Sequence, residues 1–239
     1  TGRFNSHLKS TVALFVDEAF FVGDRAAHNV LKGLITENQI MVEPKNVNAY
    51  AAKNRLKIMM ATNETHAISA GTDERRYFVT YVSDRVKQNH KYFTELTKWW
   101  KDGGDRALFT LLCHIDLSEF NIRKVPKTAA LEEQKLESLT GLDSWLYELL
   151  QDEARWKTKW SARDAANNFR IYCDQKGGKY KYENTTDRAV GKGLRKWLVV
   201  KRRRASESCG RSYELILPEL NEARKQFSEK LDARIDWNI

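Results

Sequence analysis

The stretch LFVDEAF, residues 14–20, sets the first constraint on the fold. An apolar run from Val12 to Val16 reads as a buried strand and stops abruptly at Asp17-Glu18. Two adjacent carboxylates at the end of a buried strand are costly unless a cation or a partner holds them. In α/β sheets the carboxyl ends of strands are where ligands bind. The expectation is an α/β fold with a polar site at this strand end. Surface strands also end in acidic residues, so the constraint sharpens only with the residues downstream.

A second apolar strand, LKIMMATNE, ends in Thr62-Asn63, and GTDERRYFVTYV places Arg75-Arg76 before a third apolar run. Between them, the chain predicts a helix over Asp24–Thr36 with Ala27, Val30, Leu31 and Leu34 on one face. A strand over Gln39–Glu43, a turn over Pro44–Asn48 and a return strand over Ala49–Lys53 come next. The strands themselves are expected over Thr11–Val16, Leu56–Thr62 and Arg76–Val82. Helices are then expected over Lys91–Lys101 and Asp105–Ile115, broken by Gly103-Gly104. Residues 118–140 mix charges around Pro126 and read as a linker with some helix.

A different pattern starts at Gly141. Leu142, Trp145, Leu146, Leu149 and Leu150 have the spacing of a core-facing helix. Ser161–Asp164 reads as a helix cap, opening a helix that carries Ala165, Ala166, Phe169, Tyr172 and Cys173 inside. A third helix is expected from about Thr185 to Trp197, then a strand, a polar turn with Gly210 and a second strand. Helix, helix, helix, hairpin is the order of a winged-helix domain. The resulting division is 1–117, 118–140 as linker, 141–218 as winged-helix-like, and 219–239 as a terminal helix.

Charge points to a partner. The chain has 239 residues and a net charge of +9, but 17 Lys/Arg against 5 Asp/Glu lie between Arg155 and Arg211, a local +12. A basic block of this size suits a polyanion. In the third helix of this region Arg188, Lys192 and Arg195 follow i, i+4, i+7, and Val190, Leu194 and Trp197 repeat that spacing on the opposite face. A recognition helix needs that division, with its apolar side on the domain and its basic side on phosphate or the major groove. Lys201 to Arg204, including Arg202 and Arg204, would begin the wing beside the DNA backbone. Trp156 and Trp160 read as core or interface residues. Three scattered Cys without a CxxC pair suggest reduced thiols rather than a zinc site. No apolar run is long enough to span a bilayer and no signal segment opens the chain, so the expected location is the cytoplasm.

The three strand ends, taken with GRFNSHL and LITENQIMVEPKNVNAYAAKNRL, resemble the later half of a superfamily III helicase domain of the type found in phage, plasmid and poxvirus primase-helicases. The resemblance covers about a third of the chain closely, residues 1–83. It implies a partial AAA+-like ATPase sheet, with ATP and Mg²⁺ as cofactors. Asp17 and Glu18 then correspond to Walker B, where Asp holds Mg²⁺ and Glu polarises water. Asn63 corresponds to sensor 1, and one of Arg75 or Arg76 to an arginine finger serving a neighbouring subunit. Lys45 corresponds to the hairpin Lys that contacts single-stranded DNA in a channel. The implied whole is a homo-hexameric DNA helicase acting in viral or mobile-element replication, with duplex or fork at the winged helix. Such an ATPase also needs a G-x-x-x-x-G-K-[ST] phosphate loop. None occurs in these residues, and the expectation is that the chain is a carboxyl-terminal piece, inactive alone. Two other readings stay open. Asp17 with Glu43-x-Lys45 matches the D…E-x-K core of a Mg²⁺ nuclease, although Pro44 would interrupt a core strand. A non-enzymatic DNA-binding module would use the basic helix alone.

Overall fold

The computed structural model describes residues 5–18, 25–204 and 213–237. The predicted helix start at Asp24 and the turn at Gly210 lie outside them. In the amino-terminal part, β1 (Ala13–Val16) and β4 (Lys57–Met60) form a parallel pair. The chain runs between them through α1 (Arg25–Thr36) and an antiparallel hairpin, β2 (Gln39–Val42) and β3 (Tyr50–Lys53), which forms a sheet of its own. Asn5 pins that hairpin, its side-chain oxygen accepting from Glu43 N at 2.8 Å and its amide donating to Met41 O at 2.9 Å.

Apolar side chains gather on one side of β1–β4. Ile58 and Met60 pack with Leu31, Ile68, Ala70 and Tyr77, while Leu14 joins Leu8, Ile40, Val42 and Leu56. The opposite side is open, with Phe15 and Met59 60% and 68% exposed. The expectation of strands buried outright is therefore corrected. Alternate residues of both strands face a side that no described element covers, whereas parallel strands are normally covered on both faces. The third strand expected over Arg76–Val82 is also corrected. The segment has no ladder partner among the described residues, and it ties to helix α4 (Ala129–Glu137) instead. There Thr128 Oγ1 donates to Val79 O at 2.6 Å, and Tyr81 donates to Glu133.

Next come α2 (His90–Trp99) and α3 (Asp105–His114), joined by an elbow at Trp100–Gly104. Gly103 sits at φ 100°, open to glycine at no steric cost, so the expected break is there. Neither helix buries a residue.

The carboxyl-terminal part packs α5 (Leu142–Gln151), α6 (Ala162–Lys176) and α7 (Asp187–Trp197) against a three-stranded antiparallel sheet of order β5-β7-β6. Its strands are β5 (Lys159–Ser161), β6 (Lys201–Arg204) and β7 (Tyr213–Ile216). Helix α8 (Leu220–Leu231) closes the same core, where Phe227 stacks on Trp197 with ring centroids 4.5 Å apart. Ser161 caps α6 as the sequence indicates, and Thr186 caps α7. Ser161 Oγ accepts from Asp164 N at 3.0 Å, and Thr186 Oγ1 accepts from Ala189 N at 3.4 Å. Gly193 has a packing role, since a Cβ there would come within 2.8 Å of the Leu142 side chain. Trp156 and Trp160 lie against this core, as expected. None of the described helices is long and apolar enough to cross a membrane.

Helix α4 joins the two parts. Gln134 Oε1 accepts from Ala67 N at 2.9 Å and Ile68 N at 3.2 Å. Ser138 Oγ accepts from Ala70 N at 2.9 Å and meets His66 Nε2 at 3.0 Å. On its other side the ammonium of buried Lys135 donates to Leu231 O at 3.2 Å and Asp232 O at 3.0 Å, and pairs with the Asp232 carboxylate at 3.4 Å. Lys127 also reaches that carboxylate and, with Lys135, holds it below the usual carboxylate range. A cation at the last carbonyls of α8 satisfies orphan acceptors and complements the helix dipole. Lys135→Ala leaves those carbonyls buried and unpaired, so we expect a loss of about 1–3 kcal/mol in urea unfolding.

Burial pushes the His28 and His66 imidazoles below their ordinary value of 6.5, and positive charge on Lys32 and Lys179 respectively adds to it. As pH falls below that value, the unfolded chain takes up protons before the folded one does. Their contribution to stability is therefore complete above pH 6.5 and declines on acidification. The melting temperature should drop between neutral and mildly acidic pH, and the double change His28→Gln, His66→Gln should flatten that drop.

Candidate functional site

The parallel register Val16↔Met60 puts the carboxyl ends of β1 and β4 side by side, with Ala61 N donating to Val16 O at 3.0 Å. Asp17 and Glu18 leave one strand there, and Thr62 and Asn63 leave the other. Both carboxylates and Asn63 are exposed. Asp17 Oδ1 accepts from Glu18 N at 3.1 Å, and Glu18 holds φ 54°. A non-glycine residue in the left-handed region carries strain, and such residues cluster at functional sites. Thr62 Oγ1 accepts from Glu64 N at 3.1 Å, which turns the chain away just past the strand and leaves Asn63 at the bend.

The two arginines separate. The carboxylate of Glu74 is buried, with a side chain 2% exposed, and accepts from Arg75 N, Arg76 N and the Arg76 guanidinium at 2.9–3.3 Å. Arg76 is thus fixed as the counter-charge of Glu74. Arg75 is exposed, and its guanidinium has no partner among the described residues. Around this pair, Tyr77 Oη and His28 Nδ1 are buried without a hydrogen-bond partner among the described residues. Burial and Glu74 push the Tyr77 hydroxyl up to about 12. No contact among the described residues joins Arg75 or Arg76 to Asp17 or Glu18.

Lys45 is exposed at the turn between β2 and β3, where Asn46 takes φ 62° and Val47 N donates to Pro44 O at 3.5 Å. Glu43 and Lys45 belong to this hairpin and Asp17 to the other sheet, so the D…E-x-K residues do not share one sheet. Among the described residues no group of three or more His, Cys, Asp or Glu side chains could hold a metal ion.

The third constellation is on α7. Val190, Leu194 and Trp197 are buried, and Arg188, Lys192 and Arg195 are exposed, in keeping with the offset of the two faces. Lys196 and Trp197 share the Asp143 carboxylate at 2.6 Å each, which fixes α7 on α5. Lys201 to Arg204, expected to begin the wing, form strand β6, because Leu198 seals the core at the end of α7 and pairing with β7 begins at Lys201↔Ile216. All four residues are exposed. The Arg202 guanidinium lies 3.4 Å from the Tyr213 ring centre, a cation–π contact that holds it extended.

Glu74 was missed at the sequence level. Its only signal is an acid immediately before two arginines in DERR, which does not tell a buried pair from a surface one.

Residues 1–76 match the model of a family of unknown function, DUF5906. No curated protein matches the chain. Solved structures of the NrS-1 C-terminal region are similar in fold. Its apo structure, residues 305–718, superposes with a TM-score of 0.56 at 15% identity, over 91% of this chain and 58% of that one. An A-form apo structure of the same region gives 0.55 at 16% identity with the same coverage. The chain thus spans 58% of the length of these structures and shares their fold over that span.

With Arg76 holding a buried carboxylate and Arg75 free, the two should respond differently to truncation. Arg76→Ala should lower unfolding stability by about 1–3 kcal/mol by stranding Glu74, whereas Arg75→Ala should change it by less than about 0.5 kcal/mol. Paired urea titrations check this.

Proposed function

We propose that this chain supplies the acidic, sensor and arginine groups of an ATP site in a DNA helicase of a viral or mobile-element replication system. One observation carries the reading: the parallel pairing of β1 with β4, which sets Asp17-Glu18 and Asn63 at one sheet end with Glu18 in a strained backbone. The open faces of Phe15 and Met59 support it, since helices of a larger α/β domain would cover them. The fold shared with the NrS-1 C-terminal region is compatible with it.

Asp17 is the residue that would hold Mg²⁺, through water, and its exposed carboxylate at a strand end suits that role. When bound, the metal and ATP supply the charge neutralisation and the phosphoanhydride bond that such a motor consumes. Glu18 orients and polarises water, and Asn63 positions it from the neighbouring strand end. Arg75, the free guanidinium, is the finger directed at a neighbouring subunit's nucleotide, and Arg76 is its structural support. Lys45 contacts single-stranded DNA from the hairpin tip, within a homo-hexameric ring. The α5–β7 unit acts as a winged helix, with Arg188, Lys192, Arg195, Arg202 and Arg204 on duplex or fork DNA phosphates.

The protein that carries this chain, with its phosphate loop, should show DNA-stimulated ATP hydrolysis. Glu18→Gln should reduce the turnover by about 10²-fold or more while DNA binding survives. The changes Arg188→Ala, Lys192→Ala and Arg195→Ala together should weaken DNA binding and lower the slope of log K against log salt by roughly 2–3 units. The exposed basic face of α7 supports a second reading, a binding module without ATPase. DNA binding with no ATP hydrolysis in the loop-bearing protein would select it.

A further inference from the structure

Between α6 and α7 the chain reads KGGKYKY, residues 176–182, an interleaving of lysine and tyrosine that the proposed function leaves unused. Three of these residues are Lys and none is acidic. The turn is preset by its backbone. Gly177 N donates to Cys173 O at 2.9 Å and closes α6, and Gly177 and Gly178 take φ 63° and 53° with open space where a Cβ would stand. Two successive residues in the left-handed region call for glycine. A short 3₁₀ helix, Gly178–Tyr182, follows, and Tyr180 N donates to Gly177 O at 3.0 Å. With three residues per turn, positions two apart on such a helix point to different sides. Tyr180 packs inward against the core, its ring edge-on to Tyr172 with centroids 5.9 Å apart. Tyr182 points outward and is 88% exposed, more than any other described Phe, Tyr or Trp. The far side of the turn is held as well. Glu183 N donates to Tyr180 O at 3.1 Å, and the Glu183 side chain lies so close to Gly141 that a Cβ there would come within 2.5 Å of the carboxylate.

We propose that Tyr182 is a stacking platform for the first unpaired base where a DNA duplex opens, with Lys179 and Lys181 on the phosphates beside it. The inference rests on the carboxyl-terminal unit binding DNA and is independent of the ATP site. Charge selects a nucleic acid. Lys176 pairs with Glu148 at 2.8 Å, but Lys179 and Lys181 are exposed and have no acidic partner among the described residues. The Lys179 ammonium stands 5.6 Å from the Tyr180 ring centre, which steadies it on the turn. Place points to the same ligand. Tyr182 precedes Thr186, the cap of α7, by four residues, so it stands at the helix end that carries Arg188 in its first turn. A recognition helix presents that amino-terminal end to the bases. Chemistry selects the unpaired base. Inside a duplex both faces of every base are covered by its neighbours, and the groove edges offer a tyrosine ring nothing to stack on. An unpaired base has free faces, and its stacking on an aromatic ring tolerates any sequence. Residues 178–186 contain no Leu, Ile, Val, Met, Phe or Trp, so the turn lacks the apolar face with which a segment enters a lipid surface.

Fluorescence anisotropy with the 239-residue chain tests it. The probes are a labelled blunt duplex and the same duplex with a 5′ or 3′ single-stranded tail of about ten nucleotides, carrying 2-aminopurine at the first unpaired position. We expect a tailed duplex to bind at least about 5-fold more tightly than the blunt one, the low end of base–aromatic stacking, and the 2-aminopurine emission to be quenched on binding. Tyr182→Ala and Tyr182→Leu should abolish both the preference and the quenching, while blunt-duplex binding stays within about 2-fold because the side chain is exposed. Tyr182→Trp should keep both. Lys179→Ala with Lys181→Ala should weaken binding to tailed DNA and lower its slope of log K against log salt by roughly 1–2 units. A wild-type chain that binds blunt and tailed duplex equally overturns the proposal. A preference that survives Tyr182→Ala or Tyr182→Leu does so too, as does an equal loss of blunt and tailed binding. Adsorption to anionic vesicles without binding of tailed DNA also overturns it. Duplex binding that needs Arg188, Lys192 and Arg195 but is indifferent to Tyr182 sinks this inference alone, whereas a chain that binds no DNA sinks the DNA-binding reading with it.

Discussion

The two parts of this chain are held together through helix α4 and the residues that flank it. Gln134 and Lys135 are adjacent on α4, so their side chains leave the axis about 100° apart and serve opposite partners. Gln134 takes up backbone amides of the 67–68 segment, and Lys135 closes the carboxyl end of α8. Both residues are buried, at 3% and 2% exposure. A buried ammonium is tolerable only where oxygen ligands surround it, and here three do. The segment bearing Glu74, Arg75 and Arg76 is therefore indexed, through α4, to the core that carries α7.

Much of the carboxyl-terminal part was legible in sequence, because its helices are amphipathic, Ser161 caps α6 as its S-x-x-D pattern indicates, and its core residues recur at helical spacing. The exposed basic face of α7 followed from the same periodicity. The β2–β3 hairpin and its turn at Lys45 were legible as well. Strand β5 was not, since three residues are too few for any period to show. The Arg76–Val82 segment alternates like a strand, yet alternation records only that one side is covered; α4 covers it here in place of a neighbouring strand. The apolar runs of β1 and β4 told of burial on two faces, and one face is covered within these residues.

At the candidate site, the residue types were readable and their arrangement was only partly so. That Asp17-Glu18 and Asn63 share a sheet end depends on parallel pairing across about forty intervening residues, which local spacing cannot encode. The division of labour between Arg75 and Arg76 depends on the burial of Glu74. A glutamate next to two arginines looks alike on a surface and in a core until the packing around it is known.

Strand β6 has one more consequence. It is the outer strand of its sheet, and every residue in it is a cation. An outer strand leaves a row of backbone donors and acceptors open to any other strand, which invites indiscriminate edge-to-edge stacking. Four consecutive positive charges make that stacking self-defeating between copies, because each would set its charges against an identical row. The same row accepts a polyphosphate backbone without penalty. The feature that reads as a binding surface for one polymer is thus also a guard against polymerisation of the protein itself.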